Sequence, residues 1–551
     1  MSSLRQLVVR AAKAGNHVSF YSADGSAYTQ LTWLKLLENA ERRAQTLVCE
    51  ELVAPGDYVI LLGNTSPELV ETLIAVNLCG ATPIVLPQPR PSATAQKELL
   101  SQVQAVTKAK CIFLPQFPCE RLRQLPDAWS AQLHPLPQKS EKKGDFQYRQ
   151  EAQDALIQFS SGSTRQPRGV QISQENFYTN LEAIADGADF TEEDVVVSWL
   201  PLYHDMGFIA GLFGPASWGL NSVLMDPMTF IRRPARWLRA ISEHRGSVSM
   251  APNFAYEYCV RLVKDREMNE LNLSSWRICW NGAEMVLAST IRSFEAKFAS
   301  YGLKPNSIVP CYGAAEGTLK ITSRMPGQSL LTVSADRKAL AENRVEVSND
   351  EATAVLLVGV GRPAKATNIR IATKDRYLGD WKIGEIEVSG PSVSRGYLDG
   401  EDDIFVGPTT YRTGDLGFMA DGELFITGRK KDLIIVDGRN ILPFDVEETA
   451  RNVLDKHCRK VAAFGVLDEE NGTEKLVVAV EPSPRSRPND ELWRILKSQV
   501  VSNTGTTKVE VVSVDKIPLT TSGKVQRAKM KADYESKKSA TNHVQLIKAV
   551  A

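Results

Sequence analysis

Residues 158 to 170 read Gln-Phe-Ser-Ser-Gly-Ser-Thr-Arg-Gln-Pro-Arg-Gly-Val, a hydroxyl-rich, glycine-containing segment after the apolar run Ala155 to Phe159. Such loops bind phosphate: glycine lets backbone N–H groups approach the oxygens, Ser and Thr hydroxyls donate further bonds, and Arg168 adds positive charge. No Gly-Lys-Ser/Thr ends the segment, so it is not a Walker A loop. Taken alone, it reads equally as a solvated Ser/Gly loop. Two other patterns carry less. His204-Asp205 has no third metal ligand at useful spacing and no G-x-S-x-G occurs, so zinc and α/β-hydrolase chemistry lack support. Gly359 to Ala364 loosely matches a dinucleotide G-x-G-x-x-A, but Pro363 and the strand-like Thr367 to Ala372 stand where a helix should follow.

The elements around these residues alternate. Short β-branched runs (Tyr58 to Leu62, Thr82 to Leu86, Ala109 to Leu114) are punctuated by amphipathic stretches such as Pro67 to Cys79. The rhythm resumes with strands at Val195 to Leu200, Ser247 to Met250, Trp276 to Trp280 and Ser307 to Cys311. Helices at Phe254 to Val263 and Leu287 to Tyr301 separate them. Alternation of this kind predicts an α/β fold with parallel sheets covered on both faces. Beyond about residue 350 the spacing tightens, and the turns Asp421-Gly422 and Asp437-Gly438 predict antiparallel hairpins. The last hundred or so residues, with strands Val461 to Val466 and Leu476 to Val480 and a helix near Glu491 to Val500, predict a compact α+β unit. The Lys-rich tail after Tyr534 is expected to fray.

In 551 residues, 65 Lys plus Arg balance 65 Asp plus Glu, which argues against a nucleic-acid or anionic-membrane partner. At 43% hydrophobic, the chain can bury large cores. Its 8 cysteines are scattered without a C-x-x-C pair and read as reduced, buried thiols; with no secretion signal at the start, a cytoplasmic protein is expected. Met206 to Met225 carries no charge, but its glycines, Pro215 and flanking aspartates predict a buried pocket wall rather than a membrane span.

Four further motifs follow the loop in order: Tyr312-Gly-Ala-Ala-Glu316, Tyr411-Arg-Thr-Gly-Asp-Leu416, Gly428-Arg-Lys-Lys-Asp432 and Thr521-Ser-Gly-Lys524. Together they resemble the adenylate-forming superfamily, which includes acyl-CoA synthetases, luciferases and nonribosomal peptide adenylation domains. The resemblance covers essentially the whole chain. It implies two αβα subdomains plus a β-barrel over residues 1–430, hinged at Lys431 to a small mobile α+β domain over 431–551. It implies ATP and Mg²⁺ as cofactors. Ser161, Gly162, Ser163, Thr164 and Arg168 would hold the β- and γ-phosphates, Asn281, Gly282 and Ala283 the adenine, and Tyr312 with Gly313 its flat face. Glu316 would position Mg²⁺, Asp415 and Arg429 the ribose, and Lys524 the charge of the transition state. A lone Asp, Arg or Lys is ordinarily a surface charge, and only the motif contexts single these out. The superfamily usually has Gly where Arg165 stands, Lys where Arg168 stands and often Thr where Ala315 stands.

Trp199-Leu-Pro-Leu-Tyr-His-Asp-Met-Gly-Phe-Ile-Ala210 resembles the acyl-pocket motif of one branch, the fatty acyl-AMP ligases. Tyr312 to Thr318 and Asn281 to Glu284 look like that branch's versions of their motifs. Residues 321–358, containing Asp336-Arg-Lys-Ala-Leu-Ala341, resemble its extra insertion, thought to resist the rotation that CoA requires; a variable surface loop would read the same way. The implied substrate is a fatty acid, with His204, Met228 and Ile231 near its chain. The implied acceptor is the phosphopantetheine thiol of a separate acyl carrier protein. The alternatives are an acyl-CoA synthetase of the same fold and a non-catalytic adenylate- or acyl-binding module.

Overall fold

The computed structural model describes residues 3–22, 24–87, 94–115, 133–141, 146–160, 168–350, 352–400, 403–468, 471–520 and 523–540. They fall into two compact units. The first comprises Met1–Ser329, Gly361–Asn368 and Val388–Tyr411; the second comprises Leu330–Val360, Ile369–Glu387 and Arg412–Ala551.

The first unit is built on parallel sheets, as the alternation predicts. A four-stranded parallel sheet orders its strands Thr82–Leu86, Tyr58–Leu62, Cys111–Leu114, Leu133–Pro135. Helix Pro67–Leu78 starts where Ser66 caps the Leu69 N–H and Pro67 occupies the first turn, where its missing N–H costs nothing. A nine-stranded sheet has at its centre the parallel neighbours Ile308–Gly313, Ile278–Gly282, Val248–Pro252, Val195–Ser198 and Asn221–Leu224. Strand His17–Tyr21 adds to Asn221–Leu224 in parallel, and Tyr28–Thr32 closes that edge as a hairpin. The uncharged stretch after Asp205 is a wholly buried π-helix, Met206–Phe213, then a short helix and the strand Asn221–Leu224. Gly207 is required there, since a Cβ would stand 2.3 Å from the Pro201 carbonyl oxygen. No described helix is long and apolar enough to cross a membrane.

The second unit carries the antiparallel ribbons. Thr410–Ala420, whose first two residues belong to the first unit, pairs with Glu423–Arg429 across Asp421-Gly422, and Ile434–Val436 pairs with Arg439–Ile441 across Asp437-Gly438. All four turn residues have positive φ, as type I′ turns require. A three-stranded sheet (Cys458–Asp468, Thr473–Pro482, Val509–Ser513) buries Leu476, Val478 and Val480 with helices Pro443–Leu454 and Asp490–Thr504. Its Val477 and Ala479 pack instead with Met530 and Tyr534 of helix Arg527–Ala540. That helix continues past Tyr534, which packs edge-on to Phe464, to Ala540; the rest of the Lys-rich tail expected to fray lies outside the described residues. The Gly359 to Ala364 segment leads into strands, with no helix after it.

The insertion is ordered. Strands Thr332–Asp336 and Ala354–Val358 form a hairpin, and the helix Arg337–Ala341 follows the first of them. Arg337 grips Asp445 with two hydrogen bonds, Nε to Oδ2 at 2.8 Å and Nη2 to Oδ1 at 3.0 Å. Most cysteines are buried as expected, but Cys49, at the end of helix Trp33–Cys49, is exposed; Cys119 lies outside the described residues.

Candidate active site

In the first unit the phosphate-loop motif spans a hairpin. Strands Asp154–Ser160 and Arg168–Ser173 are antiparallel, with Ser160 opposite Arg168; the connecting Ser161, Gly162, Ser163, Thr164 and Arg165 lie outside the described residues. The Arg168 guanidinium lies 3.5 Å from the ring centroid of Tyr397 and pairs with Asp399 at 3.6 Å and Asp403 at 3.4 Å. Its Nε and Nη2 are buried without hydrogen-bond partners among the described residues.

The carboxyl ends of three parallel strands of the nine-stranded sheet gather the other first-unit motifs, the edge where open α/β sheets bind ligands. Strand Ile278–Gly282 delivers Asn281, Gly282 and Ala283. The Asn281 side chain is fully buried; its Nδ2 donates to Asn253 Oδ1 at 3.2 Å, while its Oδ1 is buried without a hydrogen-bond partner among the described residues. Asn253 Oδ1 also accepts the Leu287 N–H at 3.2 Å. Ala283 turns the chain with φ 64°, and Glu284 accepts the Phe254 N–H.

The adjacent strand Ile308–Gly313 delivers Tyr312 and Gly313. A Cβ on Gly313 would stand 1.9 Å from the Leu319 carbonyl oxygen, so the chain can fold back only with glycine there. The fold-back is a 3-10 turn, Ala315–Gly317, followed by Thr318 at φ 69°, ψ −61°. A β-branched residue in that region is strained and persists only where its surroundings hold it. Three things hold it. The Thr318 hydroxyl donates to Ser392 O at 2.6 Å. The fully buried Asn180 donates to Gly317 O at 3.2 Å and Lys320 O at 3.0 Å. Its Oδ1 accepts the Lys320 N–H at 2.9 Å. Glu316, at the centre of this turn, accepts the Tyr397 hydroxyl on Oε1 at 2.7 Å. Burial, then the neighbouring Glu316 carboxylate, holds the Tyr397 phenol well above its ordinary range, so it remains a donor.

Strand Val195–Ser198 leads into the Trp199 motif. Trp199 stacks on Phe230 with ring centroids 3.9 Å apart and meets Trp237 and Phe254 edge-on at 6.2 Å. His204 Nδ1 lies 2.6 Å from Asp205 Oδ1. Met228 is half-buried and Ile231 is 39% exposed, both on helix Pro227–Arg232, whose buried contact is Phe230.

The donor set also bears on a divalent metal. Among the described residues no group of three or more His, Cys, Asp or Glu side chains is arranged to hold one. A single carboxylate with one oxygen already fixed suits Mg²⁺, which takes one or two protein carboxylates and fills its octahedron with phosphate oxygens and water.

The remaining motif residues belong to the second unit. Asp415 and Arg429 are cross-strand neighbours, Nε to Oδ1 at 2.9 Å, with Asp415 7% exposed. Arg429 leads into the 3-10 turn Lys430–Asp432, where Lys430 pairs with Glu385 at 3.2 Å, Lys431 is exposed and Asp432 pairs with Arg527 at 3.4 Å. Lys524 sits in a tight loop closed by the bridge Leu519 to Val525. Thr520 N–H donates to Lys524 O at 2.8 Å, and Lys524 N–H to Thr520 Oγ1 at 3.0 Å. The structure thus brings Arg168 and Glu316 together through Tyr397, pairs Asp415 with Arg429, and sets Lys524 in its own loop. Sequence reasoning missed Tyr397 and Asn180. The only available signal for Tyr397 was a Tyr after Arg395-Gly396, too short to mean anything alone.

The sequence profile of the AMP-binding enzymes matches residues 7–398. A 4-hydroxyphenylalkanoate adenylyltransferase of Mycobacterium tuberculosis is 32% identical, covering 96% of this chain and 91% of its own. The medium-chain-fatty-acid–[acyl-carrier-protein] ligase JamA of Moorena producens is 29% identical over 94% of this chain and 92% of its own. A solved structure from work on fatty acyl-adenylate ligases of E. coli and L. pneumophila superposes with a TM-score of 0.87 at 29% identity, covering 98% of this chain and 99% of that one. This chain therefore belongs to the AMP-binding enzyme family, among its fatty acyl-AMP ligases.

Proposed function

We propose that the protein joins a fatty acid to ATP and hands the acyl group to a separate acyl carrier protein. A carboxylate oxygen of the acid attacks the α-phosphorus, pyrophosphate leaves, and acyl-AMP forms. The phosphopantetheine thiol sulfur then attacks the acyl carbon, AMP leaves, and the thiol proton passes to solvent. The observation that carries this reading is the Glu316 platform, a carboxylate fixed on a strained turn at the carboxyl edge of a parallel sheet. Mg²⁺ held by Glu316 would supply charge neutralisation on the phosphates.

The other roles follow the motifs. Ser161, Gly162, Ser163, Thr164 and Arg168 bind phosphate, Gly282, Ala283, Tyr312 and Gly313 face the adenine, and Asp415 with Arg429 takes the ribose. Lys524 offsets the negative charge that grows on the α-phosphate. The Trp199 and Phe230 stack walls the acyl chain beside His204, Met228 and Ile231. Lys431 is the hinge between residues 1–430 and 431–551, and the Arg337–Asp445 pair supports the reading that the insertion restrains that hinge and disfavours CoA. The site of action is the cytoplasm, where ATP and carrier proteins meet.

The relative acting on 4-hydroxyphenylalkanoates supports a second reading, an acid whose chain ends in an aryl ring. Mass spectrometry after incubation with ATP, Mg²⁺, graded fatty acids, a 4-hydroxyphenyl alkanoate, CoA and a phosphopantetheinylated carrier separates these. Fatty acyl-AMP and acyl-carrier without acyl-CoA are expected. Abundant acyl-CoA would overturn the acceptor, and exclusive use of the aryl acid would select the second reading.

A further inference from the structure

Tyr397 makes contact with both charged groups of the first-unit site. Its hydroxyl donates to Glu316 Oε1 at 2.7 Å, and its ring carries the Arg168 guanidinium at 3.5 Å. The backbone around it is stitched to the strand that begins with Arg168: Leu398 N–H donates to Gly169 O at 2.8 Å, Gln171 N–H to Gly396 O at 3.0 Å, and Arg395 N–H to Gln171 O at 3.0 Å. Phe405 packs edge-on against the ring at 5.5 Å. The Tyr397 side chain is therefore fixed in place, with the phosphate hairpin on one side and the carboxylate on the other.

We infer that Tyr397 is a positioning residue for adenylation: its hydroxyl pins one oxygen of Glu316 so that Oε2 faces the metal, and its ring parks Arg168 at the same mount. The inference rests on the role proposed above for Glu316. A glutamate has three side-chain torsions, and a hydrogen bond to a charged carboxylate removes most of that freedom before the metal and nucleotide arrive. Two groups that must act on the same triphosphate then keep a fixed spacing through one aromatic ring.

Tyr397→Phe separates the hydroxyl from the ring, since the stacking of Arg168 and the Phe405 contact survive. Pyrophosphate exchange should fall roughly 10- to 100-fold in kcat with the KM for ATP changed less than about threefold. Independently of turnover, Mn²⁺ binding in the presence of a non-hydrolysable ATP analogue, followed by electron paramagnetic resonance, should show its midpoint raised about fivefold or more. In a Glu316→Gln background, Tyr397→Phe should add almost nothing, because the bond it removes would no longer tune a metal ligand. A merely structural tyrosine would add its full effect there. Wild-type exchange and a wild-type Mn²⁺ midpoint in Tyr397→Phe overturn the inference, as does a lost rate with an unmoved midpoint. If Glu316→Gln exchanges pyrophosphate at the wild-type rate, the role of Glu316 itself fails; if Glu316→Gln is inactive while Tyr397→Phe is normal, only the positioning role fails.

Discussion

Glu316 and Asp415 are both single carboxylates assigned to the nucleotide, and the chain holds them in opposite ways. Asp415 lies on an antiparallel ladder, beside a register shift between Leu416 and Gly417, where strand pairing sets Arg429 opposite it. Glu316 lies on an irregular turn whose shape depends on Gly313, on a strained Thr318, and on donors from Asn180 and Tyr397, 137 and 81 residues away by the bonds they make. A ladder residue is aimed by its neighbours in sequence. A turn residue of this kind is aimed by distant segments, so its function should be sensitive to substitutions that touch no substrate.

That contrast can be broken or sharpened in four ways. The largest effect is expected in the second unit, at the lysine proposed for catalysis: Lys524→Ala should lower adenylate formation about 10²- to 10³-fold, the scale for losing one stabiliser of developing charge. Adenylate formation at the wild-type rate would remove Lys524 from the mechanism. Next, Asn180→Leu removes three hydrogen bonds to the backbone of Gly317 and Lys320, one buried and two partly buried, and should cost about 2–4 kcal/mol in denaturant unfolding, with adenylation falling as well. Unchanged activity in the folded variant would show that the Glu316 turn does not depend on remote bracing.

A smaller effect is expected on the ladder. Asp415→Asn keeps the shape and should raise the KM for ATP about 10-fold with little change in unfolding midpoint; a large loss of stability would mean that Asp415, too, is a structural brace. The smallest concerns Lys320, just beyond the turn, whose ammonium burial pushes down to about 8 against the pull of Cys311 and Asp186. Between pH 8 and the ordinary 10.5, the unfolded chain keeps a proton that the folded chain has released. The contribution of Lys320 to stability therefore rises with pH across that window. The unfolding free energy of wild type relative to Lys320→Met should increase from pH 8 to pH 10, and a flat difference would refute the assignment.

The same contrast explains what was legible beforehand. Tyr58 to Leu62 and Thr82 to Leu86 emerge as strands with the expected ends, and both Asp-Gly hairpins form, because β-branched runs and type I′ turn chemistry act over a few residues. Glu316, Asp415 and Lys524 were singled out by their motif contexts. Tyr397 and Asn180 were not, since each acts across a separation no local pattern encodes. Residues 321–358 were ambiguous for a related reason: beside their own hairpin ladder they are tied by Arg337 to Asp445, 108 residues further on. The bond from the Asn281 amide nitrogen to Asn253, a partner 28 residues earlier, was likewise illegible, since the parallel pairing of two strands creates it.

Strand His17–Tyr21 leaves the ribosome well before its parallel partner Asn221–Leu224, to which the His17 N–H bonds at Asn221 across 204 residues. At the usual ~5–20 residues per second of translation, that edge waits roughly 10–40 s for its mate to leave the ribosome. During that interval only the hairpin with Tyr28–Thr32 shields one side of the strand. Recombinant yield of this protein should therefore respond to slower translation and to chaperone supply more than its finished stability suggests.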